Sequence, residues 1–327
     1  MRNQLRSVLA GTAVVVGLIA PANTASAAAA SCTWLGDLPG NDSFASIAGA
    51  SASGEYAVGA SEKNGRFLWR NGQTVASWPV EQGGKRDTPD DVNSSGVVIG
   101  TRTPWGGPSE AYVWRTPGSG NPTTLRVSNA EWVEPIAIND TGDVLGYITR
   151  NSVSYAVIWP ASNYATNRVV GPGRPVDISN DGRILLHSKK MLYPDGTLHD
   201  LQTPAGVTAF SITESPNSGR PVGYGTTTAG TEISIVWNTD GTVAHTVEGA
   251  RPVAANTAGD TVGLVKRSGA AGYDSGFWQG SGTPLLFSQP DPLGGPGDMY
   301  LGDNGVLHSI WVSEDYSDSS WSRWRCS

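Results

Sequence analysis

The chain has 327 residues, with 22 Lys and Arg against 29 Asp and Glu and a formal net charge of −7. An acid excess of this kind argues against nucleic acid or an anionic lipid surface as the partner, because both call for a basic face. The 42 glycines and 21 prolines point to many tight turns, and the two cysteines allow at most one internal disulfide.

Residues 1–27 read as a secretory signal. Arg2 and Arg6 form the charged start, Val8 to Ile19 the apolar middle, and Ala25-Ser26-Ala27 the small-residue cleavage site, with cleavage expected somewhere in Ala27 to Ala30. The apolar stretch is too short and wrongly flanked for a transmembrane helix. Its removal takes two arginines and no acid, which shifts the net charge from −7 to −9. The expected location is therefore extracellular, where an oxidising environment favours pairing the two cysteines.

The rest, 28–327, is expected to be one domain. It opens with SCTWLGDLPG, an apolar run placed before the first complete unit of a repeat. A phrase ending in an aromatic residue then recurs as RFLW (Trp69), AYVW (Trp114), AVIW (Trp159), KMLY (Tyr193), SIVW (Trp237), SGFW (Trp278) and SRW (Trp324). The spacings are 45, 45, 34, 44, 41 and 46 residues. Such a period marks a solenoid, propeller or array.

Ahead of each aromatic lies a glycine expected to close a tight turn, in order Gly54, Gly96, Gly142, Gly182, Gly219, Gly259 and Gly305. The residue three before it is small and polar in five units, as Ser51, Asn93, Asn139, Ser179 and Asn256. A second glycine follows in five units, as Gly59, Gly100, Gly146, Gly223 and Gly263. In EPIAINDTGDVLGYITRNSVSYAVIW this divides into three β-type runs joined by a turn and a polar loop. Asn71-Gly72, Asp195-Gly196 and Asp240-Gly241 then read as hairpin turns into a fourth run, with both central residues at positive φ.

Four strands per unit, seven units and no helical pattern predict an all-β fold, a seven-bladed β-propeller of four-stranded antiparallel blades. An irregular sandwich would not keep Gly and Trp in phase over so many units. The last unit supplies three runs, so the N-terminal run is expected to complete the C-terminal blade and close the ring. Cys326 falls where other units begin the turn between strands three and four, and Cys32 opens the borrowed strand, which predicts a Cys32–Cys326 disulfide. In unit four only 11 residues separate Gly182 from Tyr193, so the loop near His187 to Lys190 is expected to be nearly absent.

Unit three matches one pattern at Ile138, Asn139, Gly142, Val144, Leu145, Gly146 and Trp159, and unit two at Val92, Asn93, Gly96, Val98, Ile99, Gly100 and Trp114. The pattern resembles the extracellular HAF-repeat family of bacteria, whose unit runs Ala-x-x-Ile-Asn-x-x-Gly-x-Val-Val-Gly, then Ala-Phe-x-Trp, then Asp-Leu-Gly-x-Leu. WLGDLPG, Trp34 to Gly40, resembles that family's fourth strand. The chain departs from the family at Tyr193, in an insertion at Glu214 to Asn217, and in lacking the His common in the third strand. The resemblance implies a secreted propeller-like repeat protein and carries no catalytic or binding residue over.

For chemistry, the repeat tryptophans and glycines read as packing and turn residues. Trp34, Trp78 and Trp311 lie in β-type runs and are expected to be buried. Trp105, in the loop between strands two and three of blade two, and Trp132, between blades two and three, are expected on one face of the disk. With Glu131 and Glu134, and Glu110 nearby, they form the candidate ligand site, suited to stacking a sugar or anchoring a protein. Asp91 and Asp177 occupy equivalent places in first strands and are the candidate channel acids, although hydrogen bonding to neighbouring backbone competes with that reading. Asp87, Asp90 and Asp91 give a weak calcium signal without regular ligand spacing, so no cofactor is expected. No histidine pair has metal-ligand spacing, and no nucleophile elbow or phosphate loop is present.

These features predict a secreted, monomeric, non-catalytic binding module for an extracellular protein or glycan, without a membrane span and suited to docking within a larger secreted assembly. The alternatives are a glycoside hydrolase or lyase on a propeller scaffold, and a structural envelope-associated protein.

Overall fold

Wherever the repeated phrase occurs, the chain forms a four-stranded antiparallel sheet. In blade three the strands are Trp132–Ile138, Val144–Arg150, Val153–Trp159 and Arg168–Pro172, hydrogen-bonded in that order. The computed structural model describes residues 30–327 apart from 41–45, 62, 80–83, 106–108, 116–120, 214–219, 268–271, 288–294 and 313–318. The expected signal, 1–27, and the expected insertion, 214–217, lie outside the described residues. Blades one to six each use four consecutive strands. The seventh takes Gly295–Leu301, Val306–Val312 and Ser319–Cys326, and its outermost strand is Cys32–Asp37. The fold is a seven-bladed β-propeller.

The N-terminal strand closes the ring as the repeat count requires. Cys32 stands opposite Cys326 in the ladder, and the two form a disulfide with Cα atoms 4.1 Å apart across 294 residues of chain. One residue further out, Ser31 and Ser327 exchange backbone hydrogen bonds of 2.9 Å each. The bridge thus occupies the place where blade one has its Asn71-Gly72 turn. Closing so long a loop constrains the unfolded chain by about 5 kcal/mol in the chain-entropy treatment.

The core lies between blades rather than within them. Trp159 of blade three packs with Ile99, Val113 and Leu125 of blade two. Its indole N–H reaches back to the Arg126 carbonyl at 3.3 Å, as Trp69 reaches Pro39 (3.0 Å) and Trp237 reaches Gln202 (2.8 Å). All six repeat tryptophans bury a large apolar surface, and Trp69, Trp159 and Trp237 also satisfy their one donor on a backbone carbonyl earlier in the chain, whereas Trp324 donates to Ser322 of its own strand at 3.0 Å.

The two glycines of the repeat answer two different demands. Gly142 has φ +88° and closes the turn between strands one and two. Gly146 has ordinary φ, but a Cβ there would sit 2.3 Å from the carbonyl oxygen of Glu134. The cause is a β-bulge in the first strand between Pro135 and Ala137, which pushes that backbone toward the second strand. The same bulge follows Pro89, Pro175 and Pro252, where a residue without an N–H costs the ladder nothing. The small polar residue has its own role. Asn139 accepts the Asp143 amide at 2.8 Å and donates its side-chain N–H to the Ser179 carbonyl of the next blade at 3.1 Å.

Two expectations at turns meet different outcomes. The turn in blade four is reduced to three residues between Ile184–Leu186 and Lys190–Leu192, with Lys189 at φ +64°, as the short interval predicts. The three Gly-containing hairpins all form, but only Asn71-Gly72 has both residues at positive φ (50° and 84°). At Asp195-Gly196 and Asp240-Gly241 only the glycine does. There the Asp side chain instead accepts the amide two residues on, from Thr197 and Thr242, at 2.9 Å each.

Candidate functional site

Alternation of antiparallel strands sends the turns between strands one and two to one face of the disk. The loops between strands two and three, and the connections between blades, emerge on the other. Trp105 and Trp132 both belong to this second face. Trp105 is 75% exposed and Trp132 42% exposed, whereas the six repeat tryptophans, Trp69, Trp114, Trp159, Trp237, Trp278 and Trp324, lie between 0% and 6%. Burial of Trp78 and Trp311 follows the expectation from their strands, but Trp34 is 42% exposed because its strand is the outer edge of blade seven.

Trp132 begins the first strand of blade three, and its ring is held in place. The indole N–H donates to Glu134 Oε2 at 2.9 Å, and the Tyr147 hydroxyl donates to the same oxygen at 2.8 Å. The Arg174 guanidinium lies 5.1 Å from the Tyr147 ring centroid. Burial and the bond to Glu134 both raise the Tyr147 pKa, which keeps the hydroxyl a donor. Glu131 anchors the preceding loop: its amide donates to the Thr149 carbonyl (2.9 Å) and its Oε1 accepts the Asn151 amide (3.0 Å).

Glu131 and Trp132 line a groove of about 380 Å³ between blades two and three, together with Glu110, Leu125, Arg126 and Val127. Trp105 and Glu134 are not part of its wall. Trp105 stands apart on its own loop, where its amide donates to the Gly84 carbonyl at 2.9 Å. The structure therefore joins Trp132 to Glu134 by a hydrogen bond, sets it beside Glu131 on the groove wall, and leaves Trp105 as a separate exposed ring on the same face.

Asp91 and Asp177 are buried, and their carboxylates serve the backbone. Asp91 accepts the Val92 amide at 2.8 Å and the Ile138 amide of blade three at 2.9 Å. Asp177 accepts the Ile178 amide at 2.7 Å. Both fasten bulged first strands, which is the competing reading of the two residues. The acids of RDTPDDV also turn to separate partners. Asp87 pairs with Arg102 through two bonds of 2.6 and 2.8 Å, and Asp90 accepts the Thr101 hydroxyl at 2.9 Å. Among the described residues no group of three or more His, Cys, Asp and Glu side chains is placed to hold a metal ion.

Asp90, which the sequence offered only as part of a weak calcium signal, is the acid whose environment the sequence did not reveal. Although part of its surface is open, protein surrounds its carboxyl; burial raises its pKa to about 7, the Thr101 hydroxyl opposes the shift and the charge of Glu134 adds to it. Asp90 can thus hold a proton and donate a hydrogen bond near neutral pH, while Glu134 accepts from two donors. The available signal was Pro89. A proline within a first strand marks a bulge, and a bulge re-aims the residue after it.

The comparisons address the fold. The chain matches no protein-family model, and no curated protein matches it in sequence. Among solved structures it is similar to an oligogalacturonate lyase from Vibrio parahaemolyticus, with TM-score 0.55 and 9% identity over 90% of this chain and 96% of that one. A streptogramin B lyase is similar at TM-score 0.51 and 13% identity, covering 91% and 98%. The β-propeller domain of Cps50 (Swd1) from Myceliophteria thermophila is similar at TM-score 0.51 and 7% identity, covering 90% and 99%. At such identities the likeness shows a shared propeller scaffold and nothing of the chemistry carried on it. Among the described residues no helix is long and apolar enough to cross a membrane.

Proposed function

We propose that this protein is a secreted, monomeric propeller that captures an extracellular protein or glycan without chemical turnover. The binding face is the one carrying Trp105 and Trp132, and the repeat unit resembles that of the extracellular HAF-repeat proteins. The observation that carries the reading is the exposure of these two tryptophans at positions the repeat does not need, against the near-complete burial of the repeat tryptophans. An exposed ring already fixed by its own N–H, as Trp132 is by Glu134, loses little freedom on stacking against a partner. The signal-like residues 1–27 and the Cys32–Cys326 disulfide support secretion. The test compares the wild-type protein with Trp105→Ala/Trp132→Ala for retention of glycans on an array and of proteins from culture medium.

A second reading, a glycan-cleaving enzyme, is favoured by one observation, a carboxyl at Asp90 with a pKa of about 7 in the field of Glu134. A carboxyl that keeps its proton near neutral pH beside a second carboxyl is what the general acid in cleavage of a glycosidic bond requires. Turnover of a glycan by the wild type, lost in Asp90→Asn, would establish this reading in place of binding alone.

A further inference from the structure

The groove between blades two and three combines three kinds of side chain. Val127, Ala130 and Val133 are partly buried and give it an apolar side. Trp132 adds an aromatic ring that is 42% exposed. Glu110 and Glu131 bring two carboxylates, against the single cation of Arg126. We propose that this groove seats the lysine or arginine side chains of a basic segment of an extracellular protein. The proposal rests on the reading that the Trp132 face binds a partner, and it names which of the two partner classes that face takes.

Both glutamates are positioned by strands and keep oxygens for a ligand. Glu131 donates its amide to the Thr149 carbonyl at 2.9 Å and accepts the Asn151 amide on Oε1 at 3.0 Å, which leaves Oε2 open. Glu110 stands opposite Arg102 in the ladder of blade two, but Arg102 spends its guanidinium on Asp87 through bonds of 2.6 and 2.8 Å. Among the described residues the Glu110 side chain has no hydrogen bond or ion pair, and neither glutamate is paired with Arg126. An incoming cation therefore has no internal partner to displace from either carboxylate, whereas an anion would meet like charge.

The rest of the groove suits the shape of the same side chain. Lysine and arginine carry an apolar stem behind a charged head, so the stem can lie along Val127, Ala130 and Val133 while the head stays at the carboxylates. The Trp132 N–H is already used on Glu134, so the ring offers a ligand its π face, and an indole face attracts a cation more strongly than other aromatic rings do. A glycan ring can also stack there, but it brings neither the charge nor the narrow apolar stem. The formal net charge of −7 draws a basic partner from a distance, an effect that salt screens.

The test measures fluorescence anisotropy of labelled glycine peptides that carry one Lys and one Arg, two Gln, or two Glu, at low and at high salt. The expected result is saturable binding of the basic peptide, about tenfold or more tighter than that of the Gln peptide, with no binding of the Glu peptide and weakening by salt. Glu110→Gln/Glu131→Gln should weaken the basic peptide about tenfold or more. Glu55→Gln/Glu248→Gln, which removes the same charge from blades one and five, should leave it unchanged. The proposal is overturned if the basic peptide does not bind, if the Gln peptide binds equally well, or if the two double variants behave alike. An array glycan held by the wild type and by Glu110→Gln/Glu131→Gln, but lost by Trp105→Ala/Trp132→Ala, would also overturn it while leaving the Trp132 face as a binding site. If Glu110→Gln/Glu131→Gln does not fold, the preference of the wild type among the three peptides decides the matter alone.

Discussion

His308 in the last blade donates its Nε2 proton to the carbonyl oxygen of Gly54 in the first, at 3.1 Å, across the seam where the ring closes. A carbonyl only accepts, so the proton sits on Nε2 and Nδ1 is left as a buried acceptor with no partner among the described residues. Burial lowers the pKa of this ring to about 4, the bond to Gly54 opposes the shift, and the charge of Arg323 adds to it. The folded protein therefore binds fewer protons than the unfolded chain between pH 6.5 and about 4. Stability falls as pH drops through that window, by about 3 kcal/mol from this group. His308→Gln, which keeps a donor and cannot be protonated, should flatten the dependence. Urea midpoints at pH 7.5 and 4.5 for both proteins measure the difference; parallel losses would show that His308 does not sense pH at the seam.

The disulfide should act on the same seam. Cys32→Ser is expected to lower the thermal transition under oxidising conditions, by an amount consistent with losing about 5 kcal/mol of constraint on the unfolded chain. Under reducing conditions the wild type should fall to the level of the variant. A variant as stable as the oxidised wild type would mean that the ladder of Cys32–Asp37 closes the ring without covalent help.

Replacing Gly146 by Ala should destabilise blade three by about 2 kcal/mol or more, because the new methyl meets the Glu134 carbonyl of the bulged strand. Gly171→Ala in the outer strand of the same blade meets no atom within 4 Å and should change stability by less than about 0.5 kcal/mol. Equal effects from denaturant titration would remove the bulge as the reason for the second glycine.

Asp90 carries the opposite pH dependence from His308. Its folded pKa of about 7 lies above the ordinary value of 3.8, so its contribution is fully present below pH 3.8 and is lost as pH rises toward 7. Asp90→Asn should therefore gain stability over the wild type above pH 7 and show no advantage near pH 4. Glu134→Gln should move the Asp90 titration downward, which carboxyl-carbon NMR reads directly. An unchanged Asp90 titration in that variant would separate the two groups electrostatically.

Much of the fold was legible because its determinants repeat. A turn glycine and an interface aromatic recur from blade to blade, six times as tryptophan and once as Tyr193, so repetition exposes them, and a missing outer strand in the last unit points to the spare β-type run at the start of the repeat region. The acids of the blade-two first strand were less legible. Asp90 and Asp91 are adjacent, and alternation along a strand assigns them to opposite sides without saying which side is which. The bulge after Pro89 decides it, by committing Asp91 to the amides of Val92 and Ile138 and leaving Asp90 near Glu134. The face carrying Trp105 and Trp132 was legible only in part, since exposure of the two rings follows from their lying outside the repeat. The bond from Trp132 to Glu134 depends on strand geometry that spacing does not encode.

The central claim, a binding face marked by Trp105 and Trp132, is tested most directly by immobilising the wild type and Trp105→Ala/Trp132→Ala and measuring what each retains from a glycan array and from culture medium. Both proteins should show the same thermal transition, since neither tryptophan is in the core. The account predicts a saturable ligand for the wild type, with affinity reduced about tenfold or more in the double variant. Retention of the same ligand with undiminished affinity by the double variant would contradict it.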